Sequence, residues 1–420
     1  MNLKSKLLNQ AKYLWEQKIF KFALILHSFY FSLSIILFFL LYNEKNDFII
    51  FYNVGRVFLN DIENLYNQTN YLWDFRYFPL SALFFIPFSY LNIESAFVLF
   101  NIFNVLLNIL ISIFLYKIIK LVKYKDHETD DKRIIMYVCI YLMGLPHVLN
   151  YIYGQINLYI TLFILVSLFI LIKYKALKWQ FAGTLILGLS IIIKPTAFFM
   201  IPFLLILRFD LRKKKLKFNI LASFVRLFGV ILPVLLNFIL FIMYPSLWIG
   251  FLDTNFTGNN PVALNFSFSI TKIITNFFYF FNIPFNQLYV LIGVILLIGG
   301  LGFLAFILRR FDSNSIIYGY AFGVIIMLLV YYDSWDHHLL NLIPILIIII
   351  FNLPRESEIT NPVKRCLLFF NFIDLAFLGI WYLIYLLFPF NIVGTFFLIL
   401  IFYALLKYSL KRNRENIGEG

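Results

Sequence analysis

Charge is scarce in this chain: only 13% of its 420 residues are Asp, Glu, Lys or Arg, against about 25% in water-soluble globular proteins, while 62% are hydrophobic. A soluble enzyme is excluded at the outset. Cysteine is almost missing, and the two present, Cys139 and Cys366, lie inside apolar runs. They imply no disulfide framework and do not reveal a redox compartment. Neither GxxxxGK(S/T) nor GxGxxG occurs, so a glycine-rich phosphate cradle is unsupported. No Asp-x-Asp pair is present to hold a divalent ion against a nucleotide diphosphate, and no GxSxG elbow marks a serine nucleophile. If such a chain transfers a group, its donor is expected to be membrane-borne and its charge to be met by side-chain cations.

What the chain does have is long apolar runs, at roughly 22–42, 95–122, 134–150, 156–172, 181–193, 197–207, 220–243, 286–308, 315–332, 338–353, 366–387 and 391–406. These predict an all-α integral membrane bundle of about twelve transmembrane helices, forming one polytopic domain over 1–420. The runs 181–193 and 197–207 are too short to span a bilayer alone at 1.5 Å per residue. The first run is of anchor length, so no cleavable signal is expected. A further stretch, 77–92, is broken by Pro79 and Pro87 and followed by Glu94, and reads as a juxtamembrane or re-entrant segment.

The net charge of +14 raises nucleic acid as a partner, but the placement of the basic residues explains it differently. With 77–92 left out of the crossings, thirty of the 35 Lys and Arg residues fall in segments on one side, the side that the positive-inside rule makes cytoplasmic. Both termini are therefore expected in the cytoplasm of a multi-pass cell-membrane protein, with the basic residues held against an anionic leaflet. The outer face keeps Lys45, Arg56, Arg76, Lys194 and Lys272, a long first loop (43–94) and a second (244–285).

Unusual polar residues gather on that outer face. Asp47 opens a stretch with near-helical apolar spacing, expected to be an interfacial helix, where it serves either as a helix cap or as a catalytic carboxylate. Arg76 and Tyr77 stand in WDFRYFPL, where the arginine is either a bidentate phosphate clamp or an anchor in an aromatic belt. Gln155 and Asn157 lie in YIYGQINLY. Lys194 interrupts an apolar hairpin on the side where cations are scarce, which makes it a functional candidate ahead of a lysine that merely snorkels to headgroups. Trp335, His337 and His338 lie in YYDSWDHHLL, read as a phosphate or sugar contact, a metal ligand pair or a solvated loop. Adjacent histidines do not share a helix face, which weighs against the metal.

These blocks resemble glycosyltransferase family 87 of the GT-C superfamily. In 47–92 the matches are Asp47, Phe48, Tyr52, Phe58, Leu59, Leu65, Tyr66, Phe75, Tyr77, Pro79 and Leu80, and GQINLY, LILGLSIIIKP and SWDHHLL follow in the family's order. Departures are Asn60 in place of Gly, Phe78 in place of the first Pro of YPP, and Phe51 in place of the first Tyr of YY. The resemblance implies an inverting, metal-independent transferase that moves a hexose, usually mannose, from a polyprenyl-phosphate donor to a lipid or glycan acceptor at the extracytoplasmic face. It also implies Asp47 as the base, with Lys194, His337 and His338 touching donor phosphate or sugar. The competing readings are a flippase of lipid-linked glycans and an outer-face polysaccharide ligase or polymerase.

Overall fold

The computed structural model describes residues 12–40, 46–127, 131–210, 213–256, 267–309, 314–374 and 392–411. The rear of the 366–387 run, part of the 244–285 loop and both chain ends lie outside these residues. Apart from one two-stranded hairpin, the described chain is helical.

Helix α1 (Lys18–Leu40) is followed by α2 (Asp47–Asn60), and the chain then runs through short 3-10 turns to α3 (Ile93–Val122). The 77–92 stretch forms a 3-10 helix, Pro79–Phe84, and a single α-turn, Ile86–Ser89, so it contains no helix of crossing length. Its prolines explain this, since each removes a backbone donor and restricts the residue before it. Asn92 starts α3 by accepting from the Ser95 N–H at 2.9 Å, with Glu94 in the first turn where the helix dipole favours an acid.

The 134–150 run is two helices, α4 (Asp131–Leu142) and α5 (Pro146–Ile152), bent by 41°. Pro146 sits at the first position of α5, where its missing N–H costs nothing. Next come α6 (Asn157–Lys173) and α7 (Leu177–Ile193), the latter extending the short 181–193 run toward its N-terminus. The 197–207 run departs from the expected α-helix: Pro195–Leu204 is a 3-10 helix containing Pro202. It leads into an antiparallel hairpin, β1 (Leu207–Asp210) with β2 (Lys215–Phe218), where only a basic loop was expected.

The chain continues with α8 (Ile220–Met243), α9 (Pro245–Phe256), α10 (Ile270–Phe280), α11 (Gln287–Val294), α12 (Gly300–Ile307), α13 (Ser315–Val330), α14 (Leu339–Asn352), α15 (Thr360–Leu368) and α16 (Ile392–Lys411). Among the described residues, five helical stretches are long and apolar enough to cross a membrane: α1, α3, α8, the α11–α12 stretch Gln287–Ile307 joined through a π-turn, and α16. The α4–α5 pair makes a sixth if counted as one broken span. This is a multi-pass membrane protein.

Long and short helices occupy different places. The long α1, α8 and α11–α12 bury less than a third of their apolar windows and present the rest outward. By contrast, α13 is buried from Ile316 to Val330 and α14 along its whole length. A helix enclosed by protein on every side is apolar all round and need not match the bilayer thickness by itself.

The α7–α8 contact is made by small residues. A Cβ on Gly188 would run into the Val230 carbonyl oxygen and stand 2.9 Å from Pro233 Cγ; one on Gly229 would meet Thr184 Oγ1 and stand 2.8 Å from the Phe181 oxygen. Backbones approach this closely in membranes because packing, with no hydrophobic driving force, holds helices together. Gly188→Val is expected to destabilise the bundle by about 1–3 kcal/mol through overpacking, read as a lowered thermal midpoint of the detergent-solubilised protein. An unchanged midpoint contradicts the close approach.

Candidate active site

Three helix ends meet at one end of the bundle. Helix α2 begins there because Asn46 caps it: its Oδ1 accepts from the Phe48 N–H at 2.8 Å, while its amide donates to the Ile152 carbonyl at the end of α5. The capping role open to Asp47 is thus taken by its neighbour, and Asp47 sits at the first helical position with its carboxylate turned to other partners. Gln155 donates from Nε2 to Asp47 Oδ2. This contact depends on Gly154, which adopts φ +61 and whose Cβ position lies 2.8 Å from Asn46 Oδ1. A glycine is required both by the left-handed backbone and by the closeness of α2.

Lys194 ends α7. Proline follows it, which pushes its backbone into the extended region, at φ −152 and ψ 118, and stops the helix. Its Nζ donates to Gln155 Oε1 at 3.3 Å and to Asn157 Oδ1 at 3.1 Å. Asn157 in turn donates to Asn150 Oδ1 at 3.4 Å. One amide therefore bridges a carboxylate and an ammonium group: Gln155 gives its N–H to Asp47 and its oxygen to Lys194. Burial pushes the Asp47 carboxyl up to about 6, while the Lys194 charge and the Gln155 hydrogen bond pull it down.

The other sequence candidates surround this chain of contacts. His337 and His338 are buried in the short 3-10 turn Asp336–His338, their rings 4.5 Å apart, and both feel the Lys194 charge. Trp335 contributes through its backbone N–H, which donates to His338 Nδ1 at 3.0 Å. In the neutral ring this places the proton on Nε2, an atom that is buried and has no hydrogen-bond partner among the described residues. Tyr77 packs against Phe51 and Phe75, holds Tyr66 Oη through its carbonyl oxygen at 2.7 Å, and lies within electrostatic reach of Asp47 and Arg76.

Arg76 stands slightly apart. Its Nη1 pairs with Asp333 Oδ2 at 3.1 Å, and its Nη2 lies 3.9 Å from Asp74 Oδ2. Asp333 lies in the YYDSWDHHLL block, and its pairing with Arg76 has no signal in the sequence; Lys272 was expected only as one of five outer cations. Lys272 is buried in the first turn of α10, after the cap Ser269, and interacts with Asp333 and Arg76. Asn46, Gly154 and Asn150 were missed altogether; a glycine next to a polar pair was the available signal for the turn. Among the described residues no three His, Cys, Asp or Glu side chains form a metal-holding group.

A family model described as Glycosyltransferase family 87 matches residues 75–331, more than half of the chain. The chain belongs to glycosyltransferase family 87. No curated protein matches it. The enzyme is thus a glycosyltransferase embedded in a membrane. The matched span contains Arg76, Tyr77, Gln155, Asn157 and Lys194 but stops short of Asp47 at one end and of the histidines at the other. A hydrogen bond joins Asp47 to it through Gln155, and the histidines lie within electrostatic reach of Lys194.

In this glycosyltransferase Gly154→Ala is expected to strain the turn by about 1–2 kcal/mol. By moving Gln155 off Asp47 it should lower sugar transfer by about a hundredfold, while the helical circular-dichroism signal is retained. Transfer at the wild-type rate removes the turn from the site.

Proposed function

We propose that this glycosyltransferase moves a hexose, mannose being the sugar implied by the resemblance, from a polyprenyl phosphate of the dolichyl or undecaprenyl kind to a hydroxyl of a lipid or glycan acceptor. The reaction is placed at the extracytoplasmic face, with both termini cytoplasmic and the chain crossing about twelve times. The observation that carries the reading is the Asp47–Gln155–Lys194 chain, half-buried at Asp47 and buried at Gln155 and Lys194: one carboxylate and one cation, held a side chain apart at a single end of the bundle.

The chemistry follows from that pairing. Asp47 accepts the proton of the acceptor hydroxyl as its oxygen attacks the anomeric carbon. The bond from that carbon to the phosphate oxygen breaks, and its electron pair stays on the phosphate. The added negative charge is met by Lys194 and by the Nε2–H of His338, donors already aimed and already desolvated. Arg76, held by Asp333, and Tyr77 line the approach, and Trp335 and His337 back the donor side. Gln155 and Asn157 keep Lys194 oriented.

A retaining mechanism needs a second carboxylate as nucleophile. Asp333 is engaged by Arg76, which supports a single displacement with inversion. The donor's charge is proposed to be handled by side chains, without a metal.

Asp47→Asn is expected to reduce transfer from polyprenyl-phosphate mannose in reconstituted membranes by about 10²–10⁴-fold. Mass spectrometry of the product from native lipid extract should show one added hexose; wild-type activity overturns the base assignment, and en bloc glycan transfer overturns the donor.

The pH profile is a separate test. The base works when deprotonated, so transfer should rise with pH through about 6. Lys194 favours the charged carboxylate, so Lys194→Gln should move this acid limb to higher pH as well as lower the maximum. A limb unmoved by that change separates the two residues.

A further inference from the structure

The segment expected to be only a basic loop has an order that its charge count conceals. In the hairpin Leu207 pairs with Phe218, Arg208 with Lys217, Phe209 with Leu216 and Asp210 with Lys215. Cross-strand partners share a face of the sheet, and successive residues alternate between faces. One face therefore carries Leu207, Phe209, Leu216 and Phe218, and the other carries Arg208, Asp210, Lys215 and Lys217. The turn adds Lys213 and Lys214, the latter in the left-handed region at φ 46. All four lysines are exposed, and Asp210 is the one carboxylate among the described residues of the hairpin.

An isolated two-stranded hairpin is marginal in water, and this one is pinned to the bundle. Arg309 Nη1 donates to the Leu207 carbonyl at 2.8 Å, the Asn219 N–H donates to the Ile206 carbonyl at 3.0 Å, and the Ile206 N–H donates to Ser223 Oγ at 2.9 Å. These contacts place the hairpin at the start of α8. There Arg226 donates from Nε to Gln180 Oε1 at 2.8 Å, in the first turn of α7. Lys194 closes the other end of that 17-residue helix, roughly 25 Å away at 1.5 Å per residue. The hairpin and the active site are thus at opposite ends of the bundle.

The apolar face is not folded away. Leu216 is 54% exposed and Phe218 46%, Leu207 and Phe209 are half-buried, and Ile220, Leu221 and Phe224, close by in the chain at the start of the apolar helix α8, are exposed too. Nucleic acid or an acidic protein would engage the lysines and leave this apolar face in water. A layer of anionic headgroups above acyl chains satisfies both faces at once, the combination that holds amphipathic segments in a membrane interface.

We propose that the two strands and the turn lysines form a binding site for anionic phospholipid. The plate lies in the interface at the end of the bundle remote from Asp47. Leu207, Phe209, Leu216 and Phe218 continue the acyl-facing surface of α8, and Lys213, Lys214, Lys215 and Lys217 reach along the plane to lipid phosphates.

Native mass spectrometry of the full-length protein, released from micelles containing equal amounts of phosphatidylglycerol and phosphatidylcholine, tests the site. The wild type should retain phosphatidylglycerol preferentially. The triple variant Lys213→Gln, Lys215→Gln, Lys217→Gln should retain at least fivefold less, with sugar transfer unchanged. A control that removes three other exposed lysines, Lys125→Gln, Lys132→Gln, Lys178→Gln, should retain wild-type amounts. Leu216→Gln with Phe218→Gln, which keeps every charge, should also reduce retention. No preference in the wild type, or equal loss in the control, overturns the site. Loss with the lysine triple but none with the apolar pair overturns it in favour of a soluble polyanion.

Discussion

A half-buried carboxylate and a buried ammonium group in a largely apolar bundle must each be hydrogen-bonded, because an unpaired charge withdrawn from water costs several kcal/mol. In this glycosyltransferase the requirement is met by an amide. Gln155 stands between Asp47 and Lys194, donating to one and accepting from the other. A direct ion pair would tie both groups to each other; the bridged arrangement keeps opposite charges apart while leaving each oriented. The rest of the site serves this bridge. Asn46 holds the start of α2 against the end of α5, Gly154 permits the turn that points Gln155 inward, and Pro195 ends α7 where the lysine is needed.

Most of the irregular backbone lies inside the bundle or at its ends, the outward-facing π-turn Ile295–Gly299 between α11 and α12 excepted. The broken α4–α5 pair, the 3-10 helix Pro195–Leu204 and the short buried α13 and α14 are surrounded by longer, outward-facing helices. Backbone groups freed by prolines and turns can be satisfied by neighbouring protein there but not by lipid. The same arrangement lets four separated stretches of the chain present polar side chains at one end without exposing them to acyl chains.

Much of the site was legible because charge is rare. Lys194 stands out in an apolar run, and a polar GQIN turn or a DHH turn is conspicuous between long hydrophobic segments. What could not be read was local pairing. Asn46 and Asp47 are adjacent, and only the observed hydrogen bonds show that Asn46 caps α2 while Asp47 pairs with Gln155. Arg76 looked like a solitary cation until Asp333, 257 residues away, proved to be its partner. The hairpin shows the opposite failure: the alternation in LRFD and KLKF was present in the sequence, but a count of lysines hid it.

Composition and the order of apolar runs by themselves determined that this is a helical membrane protein, and the ordered polar blocks placed it among the family 87 glycosyltransferases. These are properties of the chain read in one dimension, set by the cost of putting charge or unsatisfied backbone into hydrocarbon. Tertiary structure alone decided which polar groups touch. Asp47 and Gln155 are 108 residues apart, and Gln155 and Lys194 are 39 apart. Hydrogen bonds act over about 3 Å, so no spacing in the sequence encodes such meetings until the helix ends have been brought together.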